Sequence, residues 1–276
     1  MITYLSKTYA VDKLCSLFRY PRSSFYYQTK LRKRISRYDM IVKDIFYKNH
    51  KVYGARKMRF KLAKLGFMVS RRKILEIMKY LDLVPKYVKI RRIKFKTGAN
   101  SFNYRNLVCR CFNDRKPYEV IAADVTYVFF GKKRYYLCIL MDIATRMIVG
   151  TSVSLEIGSK LVKDAMFSMK LDFNKVQIFH TDRGSEFNNL NINTFFEKNG
   201  IKRSLSDVSS PLDNAIVESL NNIVKIEWQF ETQINSISEF KVSWAKYVDW
   251  YNNLRIHGSL GYQTPAEYKI NLDKTG

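Results

Sequence analysis

The sequence has few of the residues that build disulfide frameworks, structural zinc sites or membrane spans. Its four cysteines and three histidines show no recurring CxxC or HxxxH spacing, which argues against disulfides and structural zinc and favours a reducing compartment. The longest apolar run is interrupted by Asp142, so none reaches the roughly 18 residues of a membrane helix. The first residues, MITYLSKTYAVDKLC, lack the apolar stretch of a signal peptide. We therefore expect a cytoplasmic protein with no membrane anchor.

Acidic residues are scarce in the first part of the chain only. Residues 1–118 hold 31 Lys and Arg against 6 Asp and Glu, whereas residues 119–276 hold 18 of each, so the whole net charge of +25 lies in the first part. A length of 276 residues predicts about two domains. General solubility or an anionic membrane surface are alternative explanations of the basic part. Because the asymmetry is complete and no membrane anchor is present, nucleic acid is the expected partner.

The basic part divides into three segments by pattern. Residues 1–37 are expected to form a short N-terminal helical segment, in which VDKLCSLFRY carries apolar residues at helical spacing. Residues 38–84 predict a helix-turn-helix DNA-binding module. Residues 85–118 have little periodicity and interleave aromatic with basic residues, which is typical of a basic linker that follows a phosphate backbone.

The predicted helix-turn-helix has recognisable boundaries. Its turn is expected at Gly66, and Ser70 is the expected N-cap of the second helix. Arg71, Arg72 and Lys73 fall in the first turn of that helix, where positive charge opposes the helix dipole. A bound polyanion would offset this cost, so these three side chains are candidate DNA contacts. An ordinary three-helix bundle with a basic, solvated face is the alternative.

From residue 119 the pattern predicts an α/β fold. The runs YEVIAADVTYVFF, RYYLCILMDIA and RMIVGTSVSL are strand-like and closely connected, which predicts an antiparallel meander. The full order over 119–230 is β-β-β-α-β-α-β-α, and a mixed sheet with helices on its faces is the expected packing. Residues 231–276 are predicted to form a C-terminal helical extension. Its helix at about 236–252 is rich in Trp and Tyr, which we assign to the core.

Three carboxylates are placed at the ends of these elements. Asp124 lies in the first strand-like run, Asp182 follows the fourth strand in HTDRGSEF, and Glu218 lies on the helix DNAIVESLNNIVKIEW. Carboxylate oxygens are ligands that Mg²⁺ prefers, and a pair of such ions can assist attack and departure at phosphorus. Taken singly, the same residues could shape a turn, satisfy backbone donors at a strand end, or lie on a solvated helix. Spacing alone leaves both interpretations open.

The helix that carries Glu218 has two distinct sides. One side is mostly apolar and includes Ile216, Leu220, Ile223, Val224 and Glu227. The other side groups hydrogen-bonding side chains around the carboxylate: Asn214, Glu218, Asn221, Asn222 and Lys225. The polar side could face a metal ion and a phosphate, although plain amphipathicity would give the same pattern.

Asp124, Asp182 and Glu218, with 35 residues between the last two, resemble the catalytic triad of DDE transposases and retroviral integrases. The local text is more specific. IAADVTYV, LMDIATRMIVG, HTDRGSEF, PLDNAIVESLNNIVKIE and YVDWYNNLRIHGSLGYQTPAEY, in this order, resemble the OrfB transposases of the insertion-sequence-three family. The segment HKVYGARKMRFKLAKLGFMVSRRKILEIMKYLDL resembles the helix-turn-helix module of that family. The resemblance extends from about residue 38 to residue 268.

This resemblance implies a ribonuclease H-like core with a mixed five-stranded sheet, and a DDE transposase that cleaves and joins DNA strands. It implies Asp124, Asp182 and Glu218 as catalytic metal ligands for Mg²⁺, with Mn²⁺ as a substitute. Lys225 would contact DNA near the site, and Asn214 would shape the site or touch the substrate. Arg183 and Gly184 would set the turn that directs Asp182.

The resemblance also carries expectations about partners. DNA in the form of element ends and target is the expected substrate, bound by a dimer or higher oligomer, with an upstream reading-frame product as a further partner, fused or separate. The expected location is the bacterial cytoplasm, at the nucleoid. A non-catalytic DNA-binding protein, such as a decayed transposase or repressor, is the alternative. The sequence departs from the family at Ser210-Pro211-Leu212 and at Glu186, which adds a carboxylate.

Three further polar residues have predicted structural roles. Asp142 is expected to hold the second hairpin with Arg146. His257 is expected to brace a C-terminal loop rather than to bind metal. His180, which lies two residues before Asp182, is either a hydrogen-bond donor to the site or a satisfied core histidine.

Overall fold

A computed structural model describes residues 1–32, 37–89, 105–109, 115–171, 173–187, 190–207, 215–229 and 232–275. The chain forms two compact units, Met1–Pro85 and Lys86–Gly276. Across these described ranges, no helix is both long and apolar enough to traverse a lipid bilayer.

The first unit is built from helices. They are α1 (Ile2–Leu5), α2 (Val11–Leu17), α3 (Arg22–Arg32), α4 (Arg37–Lys48), α5 (Ala55–Lys64) and α6 (Arg71–Tyr80). Helices α4, α5 and α6 pack on one another through side chains that are fully excluded from solvent: Val42, Met58, Leu62 and Ile74. The predicted helical region is therefore confirmed.

The connection between α5 and α6 agrees with the prediction. Gly66 has a φ of +83°, which a residue with a side chain rarely adopts, so it allows the chain to turn after α5. The Ser70 side chain accepts a hydrogen bond of 3.2 Å from the backbone N–H of Lys73 and caps α6. The two residues together fix where α5 ends and α6 begins.

The second unit is organised around a five-stranded sheet. Its strands are β1 (Val120–Phe130), β2 (Lys133–Asp142), β3 (Ile148–Ser154), β4 (Ile178–Thr181) and β5 (Lys202–Leu205). Their order in the sheet is β3-β2-β1-β4-β5. Strands β1 to β3 form an antiparallel meander, and β4 and β5 run parallel to β1. The predicted mixed sheet is confirmed, and this topology is ribonuclease H-like.

Helices flank the sheet and continue after it. They are α7 (Lys86–Lys89), α8 (Ser159–Phe167), α9 (Leu190–Lys198), α10 (Ala215–Glu227), α11 (Ile237–Asn253) and α12 (Pro265–Thr275). Helix α8 packs on β2 and β3, α10 packs on β1, and α11 packs on β3. The aromatic side chains of α11 are buried, at 3% exposure for Trp244 and 2% for Tyr251, which confirms their place in the core.

The contact of α8 with the sheet depends on Gly150 of β3. A Cβ atom at this position would lie 2.6 Å from the carbonyl oxygen of Ala165 and 2.6 Å from Cγ of Met169. A residue other than glycine would therefore push α8 away from the strand. The buried side chains between sheet and helix include Leu140, Leu161 and Val162.

Asp142 is structural, as expected, but residues other than Arg146 donate hydrogen bonds to its carboxylate. Its carboxylate accepts hydrogen bonds from the Tyr118 N–H at 3.0 Å, the Thr145 N–H at 3.1 Å and the Thr145 hydroxyl at 2.5 Å. Arg146 contributes its backbone N–H, which donates to the Asp142 carbonyl oxygen at 2.9 Å. The carboxylate is thus held by neutral donors, and the charge of the nearby Arg146 side chain also interacts with it, in line with the prediction.

Candidate active site

Asp124 lies on β1 at the point where that strand loses one neighbour. Residues Val120–Ala123 pair with β4, and the pairing ends immediately before Asp124. The Asp124 carboxylate accepts a hydrogen bond from the Val125 N–H at 2.9 Å. Its other oxygen accepts a hydrogen bond from the side-chain amide of Asn221, which lies on α10. The helix and the strand are thus joined at this carboxylate.

Asp182 directly follows β4, which lies beside β1 in the sheet. Its carboxylate accepts a hydrogen bond of 3.0 Å from the Gly184 N–H. The side chain of Arg183 turns the other way, and its Nε donates to the Ser206 carbonyl oxygen at 3.0 Å. These two bonds hold the turn after β4, and the parallel register that pairs Ala123 with Thr181 brings Asp182 to the side of Asp124.

Glu186 adds a fourth carboxylate to this site. It lies in a single 3-10 turn, Ser185–Phe187, that begins just after Gly184. A Cβ atom on Gly184 would come within 2.7 Å of the Glu186 carboxyl group, so this carboxylate folds back over the glycine. The sequence shows the extra carboxylate, but only the turn shows that it bends toward Asp182.

Glu218 reaches the same site from α10. The opposite side of this helix is packed into the protein, with Val217, Leu220 and Val224 at 0%, 1% and 0% exposure. Glu218 is more exposed than the other three carboxylates. Helix α10 packs on β1, the Asn221 amide contacts Asp124 there, and the charge of Glu218 interacts with Asp124 and Asp182.

The four carboxylates interact electrostatically. Burial raises the pKa of Asp124 well above its usual value, and the charges of Asp182, Glu218 and Glu186 raise it further, against the Val125 N–H. Burial also raises the pKa of Asp182, against the Gly184 N–H. The pKa values of Glu186 and Glu218 are raised by partial burial first and by Asp182 second. Like charges are therefore gathered here at a cost, which a bound cation would offset.

The donor atoms of this site suit a hard divalent cation. It offers carboxylate oxygens, and the side-chain oxygen of Asn221 is buried with no hydrogen-bond partner in the described part of the chain. Such oxygens are the ligands of Mg²⁺ and related ions. Within the described ranges, no group of three His, Cys, Asp or Glu side chains is arranged to hold a metal ion as it stands. The donor atoms are therefore of the type that binds a divalent cation, but their oxygens would have to move closer together to coordinate one.

Lys225 lies two turns beyond Glu218 on the same side of α10. Its ammonium group is 5.1 Å from the ring centre of Tyr127 on β1. Partial burial lowers the pKa of Lys225, and the nearby charge of Asp124 opposes that shift. A cation is thus held beside the carboxylates. Asn214, the other predicted substrate contact on this helix, lies outside the described residues.

A buried ion pair closes the far end of α10, and sequence reasoning missed it. The carboxylate of Glu227 accepts hydrogen bonds from Nε of Arg255 at 2.8 Å and from Nη2 at 2.6 Å, and from the Tyr247 hydroxyl at 3.0 Å. The Tyr87 hydroxyl donates to the same carboxylate. The side chains of the ion pair are 4% and 0% exposed. A glutamate among the apolar residues of an amphipathic helix is the signal that could have revealed a buried partner.

The two histidines near predicted sites have structural partners. His180 is fully buried, and its ring nitrogens lie 2.9 Å from the Ser204 hydroxyl and 3.3 Å from the Ser206 hydroxyl. It therefore joins β4 to the segment at β5, as a satisfied core histidine does. His257 lies 3.2 Å from the Arg255 guanidinium and braces the C-terminal loop, as expected.

The predicted DNA contacts of the first unit stand at the N-terminal end of α6. Arg71, Arg72 and Lys73 are exposed there. Arg72 and Lys73 approach the Glu76 carboxylate one turn along, at 3.3 Å and 3.9 Å. Exposed pairs of this kind contribute little to stability, so the basic end of α6 remains accessible to a phosphate.

The second unit combines a ribonuclease H-like fold with carboxylates clustered beside β1 and β4. Comparisons with known sequences identify the family to which the chain belongs. Integrase core domain models match residues 114–211 and 199–265, and an HTH-like domain model matches residues 32–91. The putative transposase InsK of insertion element IS150 from Escherichia coli is 26% identical over 274 residues, covering 98% of this chain and 96% of that protein. The putative transposase of IS986/IS6110 from Mycobacterium tuberculosis is 30% identical over 235 residues, covering 79% and 82%.

The chain therefore belongs to the insertion-sequence transposases with an integrase core domain, as its resemblance to the OrfB proteins predicts. Among solved structures it is similar to the magnesium-bound catalytic core domain of HTLV-2 integrase, at 18% identity and a TM-score of 0.45, covering 56% of this chain and 97% of that one. It is also similar to a simian T-cell lymphotropic virus intasome, at 11% identity and a TM-score of 0.48, covering 83% and 74%.

Proposed function

We propose that this protein is a DDE-type transposase that cuts DNA at the ends of a mobile element and joins them to target DNA. One observation carries the proposal. In a member of the transposase family, Asp124, Asp182 and Glu218 come from three different elements to one site, where burial first and the charges of Asp182 and Glu218 in addition raise the pKa of Asp124. Glu186 joins them. Concentrated negative charge of this kind is costly unless it serves to bind a cation.

In the proposed reaction two displacements occur at phosphorus. Water first attacks a phosphodiester at the element end, its oxygen bonds to phosphorus, and the bond to the 3′-oxygen breaks. The freed 3′-hydroxyl then attacks a target phosphodiester, and the 3′-oxygen of the target leaves. A divalent cation, when bound, would supply positive charge to the nucleophile and the leaving oxygen. No protein nucleophile is needed, and no covalent protein intermediate forms.

The residues of the chain have distinct tasks in this scheme. Asp124, Asp182 and Glu218 would hold Mg²⁺ or Mn²⁺. The Asn221 amide fixes the orientation of the Asp124 carboxylate, and Lys225 provides a cation for the DNA backbone. Arg71, Arg72 and Lys73 of α6 would contact the element end, and Asn214 would shape the substrate site.

A strand-transfer assay tests the proposal. Purified full-length protein is mixed with labelled element-end DNA and Mg²⁺, then with EDTA, beside Glu218→Gln. Glu197→Gln is a matched control because it removes the same charge from an exposed position on α9. We expect metal-dependent joined products that Glu218→Gln abolishes and Glu197→Gln retains. Separately, Mn²⁺ binding followed by electron paramagnetic resonance should weaken in Glu218→Gln.

Three results would contradict the proposed reaction, and a fourth would contradict the expected oligomer. Unchanged joining by a folded Asp124→Asn variant would show that the carboxylates are not catalytic. DNA binding with no cleavage, in the presence of any upstream reading-frame product, would favour a non-catalytic DNA-binding protein. Nicks without joined products would indicate a nuclease. Synapsis of two ends also requires at least two copies of the chain, which end-paired complexes containing one chain would disprove.

A further inference from the structure

The hairpin of β1 and β2 carries two aromatic side chains on its outer end. Tyr127 and Phe129 are 37% and 43% exposed, whereas Val128 and Phe130, which alternate with them on the other face, are 0% and 8% exposed. The two exposed rings are 5.5 Å apart in an edge-to-face arrangement. The solvent-exposed face of an antiparallel sheet normally carries polar side chains. Two neighbouring rings in solvent therefore call for an explanation.

Cations from two different elements lie against these rings. The guanidinium of Arg134 on β2 is 5.5 Å from the centre of Tyr127 and 5.2 Å from the centre of Phe129. Lys225 approaches Tyr127 from α10. Arg134 is the cross-strand partner of Phe129, so ordinary strand pairing accounts for that contact. It does not account for Lys225, which comes from the helix that carries Glu218.

Lys225 links this surface to the candidate active site, because its ammonium group lies at the Tyr127 ring and interacts with the charge of Asp124. Tyr127 lies three residues beyond Asp124 on β1, about 10 Å along an extended strand, and this odd spacing places the two side chains on opposite faces of the strand. The pairing of β1 with β4 ends at Ala123, so β4 does not separate the two positions. About three nucleotides of stacked DNA cover the same length, at roughly 3.4 Å per nucleotide. A strand with a phosphate at the carboxylates can therefore place a base a few positions away on the hairpin. The rings and the exposed guanidinium plane provide stacking faces, and the two cations can contact phosphates.

We propose that Tyr127, Phe129, Arg134 and Lys225 form a stacking surface for an unpaired base of the DNA strand that is processed at the carboxylates. This inference rests on the proposed function, because it takes the strand to lie at Asp124. An unpaired base fits better than a base pair, since stacking on a protein ring requires an open base face. The surface would hold the DNA end after its terminal pairs open and would tolerate different bases.

Binding of a fluorescent oligonucleotide tests the surface. The full chain with Glu218→Gln, in EDTA, is titrated into a duplex with two unpaired 3′ nucleotides, one of them 2-aminopurine, and into the same duplex fully paired. We expect quenching of the unpaired base on binding. Tyr127→Ala should weaken binding of the overhang DNA by about 5- to 100-fold, the range of base–aromatic stacking. Because the Tyr127 ring carries no charge, its removal should change the affinity for the paired duplex by about two-fold at most.

Matched variants separate stacking from charge and from folding. Tyr127→Phe keeps the ring and should retain both quenching and affinity. Arg134→Lys keeps the charge but loses the planar group, and should reduce quenching. Phe167→Ala removes a ring that is 72% exposed on α8 and should change neither quantity. Thermal unfolding of each variant confirms that the second unit stays folded.

The result that overturns the surface differs from the result that overturns the reaction. There is no stacking surface if Tyr127→Ala leaves both the affinity for the overhang DNA and the quenching unchanged, or if it lowers the affinity for the overhang DNA and for the paired duplex equally. This conclusion holds whether or not the protein joins DNA. If quenching depends on Tyr127 while the unmodified chain never joins DNA in Mg²⁺, the surface stands and the proposed function is wrong.

Discussion

Removing one partner of the ion pair between Glu227 and Arg255 should be one of the most destabilising single substitutions in the second unit. Both side chains are almost fully excluded from solvent, and the guanidinium meets the carboxylate through two nitrogens. Arg255→Met removes the charge that compensates Glu227 but keeps much of the side-chain volume. Removing one partner of a buried pair costs about 3–5 kcal/mol.

This cost translates into a large change in thermal stability. For a unit of this size, each kcal/mol lowers Tm by roughly 2–4 °C, so Arg255→Met should lower it by roughly 6–20 °C. The double variant Glu227→Leu/Arg255→Met should regain part of that loss, because no uncompensated charge remains. Differential scanning calorimetry of the full chain compares Arg255→Met, Glu227→Leu and the double variant. As a control, Lys48→Met breaks an exposed pair with Asp44 and should lower stability by about 0.5 kcal/mol or less.

Two results would contradict this prediction. If Arg255→Met shifts Tm by less than about 2 °C, the pair does not carry the stability that its burial implies. If the double variant is as unstable as the sum of the single variants, the two residues act independently and the reasoning fails.

Three other substitutions have defined expected outcomes. Asn221→Ala removes the amide that orients Asp124 and should lower the yield of joined DNA at limiting Mn²⁺ by about 10- to 100-fold, as the loss of a ligand-orienting group does, with Tm nearly unchanged. Gly150→Ala should destabilise the second unit by about 1–3 kcal/mol in urea unfolding, because its Cβ would collide with the Ala165 carbonyl group. Ser70→Ala should destabilise the first unit by about 0.5–2 kcal/mol through loss of the α6 cap, and Ser70→Asp should not.

Each of these predictions has a contradicting result. Full joining activity of Asn221→Ala at low Mn²⁺ would mean that its bond to Asp124 has no functional role. An unchanged urea midpoint for Gly150→Ala would mean that α8 can withdraw from β3 at no cost. Equal stability of Ser70→Ala and Ser70→Asp would show that the cap does not limit the stability of α6.

Local patterns account for most of what the sequence predicts about the fold. The Ser70 cap, the Gly66 turn and the alternating strands of the meander depend on neighbouring residues, so they can be read from short segments. Helix α12 lies within the predicted C-terminal helical extension, and its starting residue can also be read from the sequence. Thr264 and Glu267 exchange hydrogen bonds of 3.1 Å and 2.9 Å with each other's backbone N–H groups. This is a capping box, and the text TPAE encodes it.

Contacts between distant segments account for most of what was missed. The bond from Asn221 to Asp124 joins residues 97 positions apart, and Arg255 lies 28 positions from Glu227. No periodicity within either segment specifies such a partner. The sequence shows that α10 has a polar side. Which of its amide side chains contacts β1 depends on the rotation of the helix about its own axis. That rotation is a property of packing and not of the local sequence.

The C-terminal segment therefore takes part in placing Glu218. Helix α10 shares no backbone ladder with the sheet, so its rotation is set by side chains alone. The buried residues Val217, Leu220 and Val224 allow some rotation about the helix axis, because apolar contacts are not directional. The hydrogen bonds of Glu227 to Arg255 and Tyr247 are directional and lie at the end of the helix. Together with the bond from Asn221 to Asp124, these bonds to residues beyond 231 therefore help to set the angle at which α10 presents Glu218.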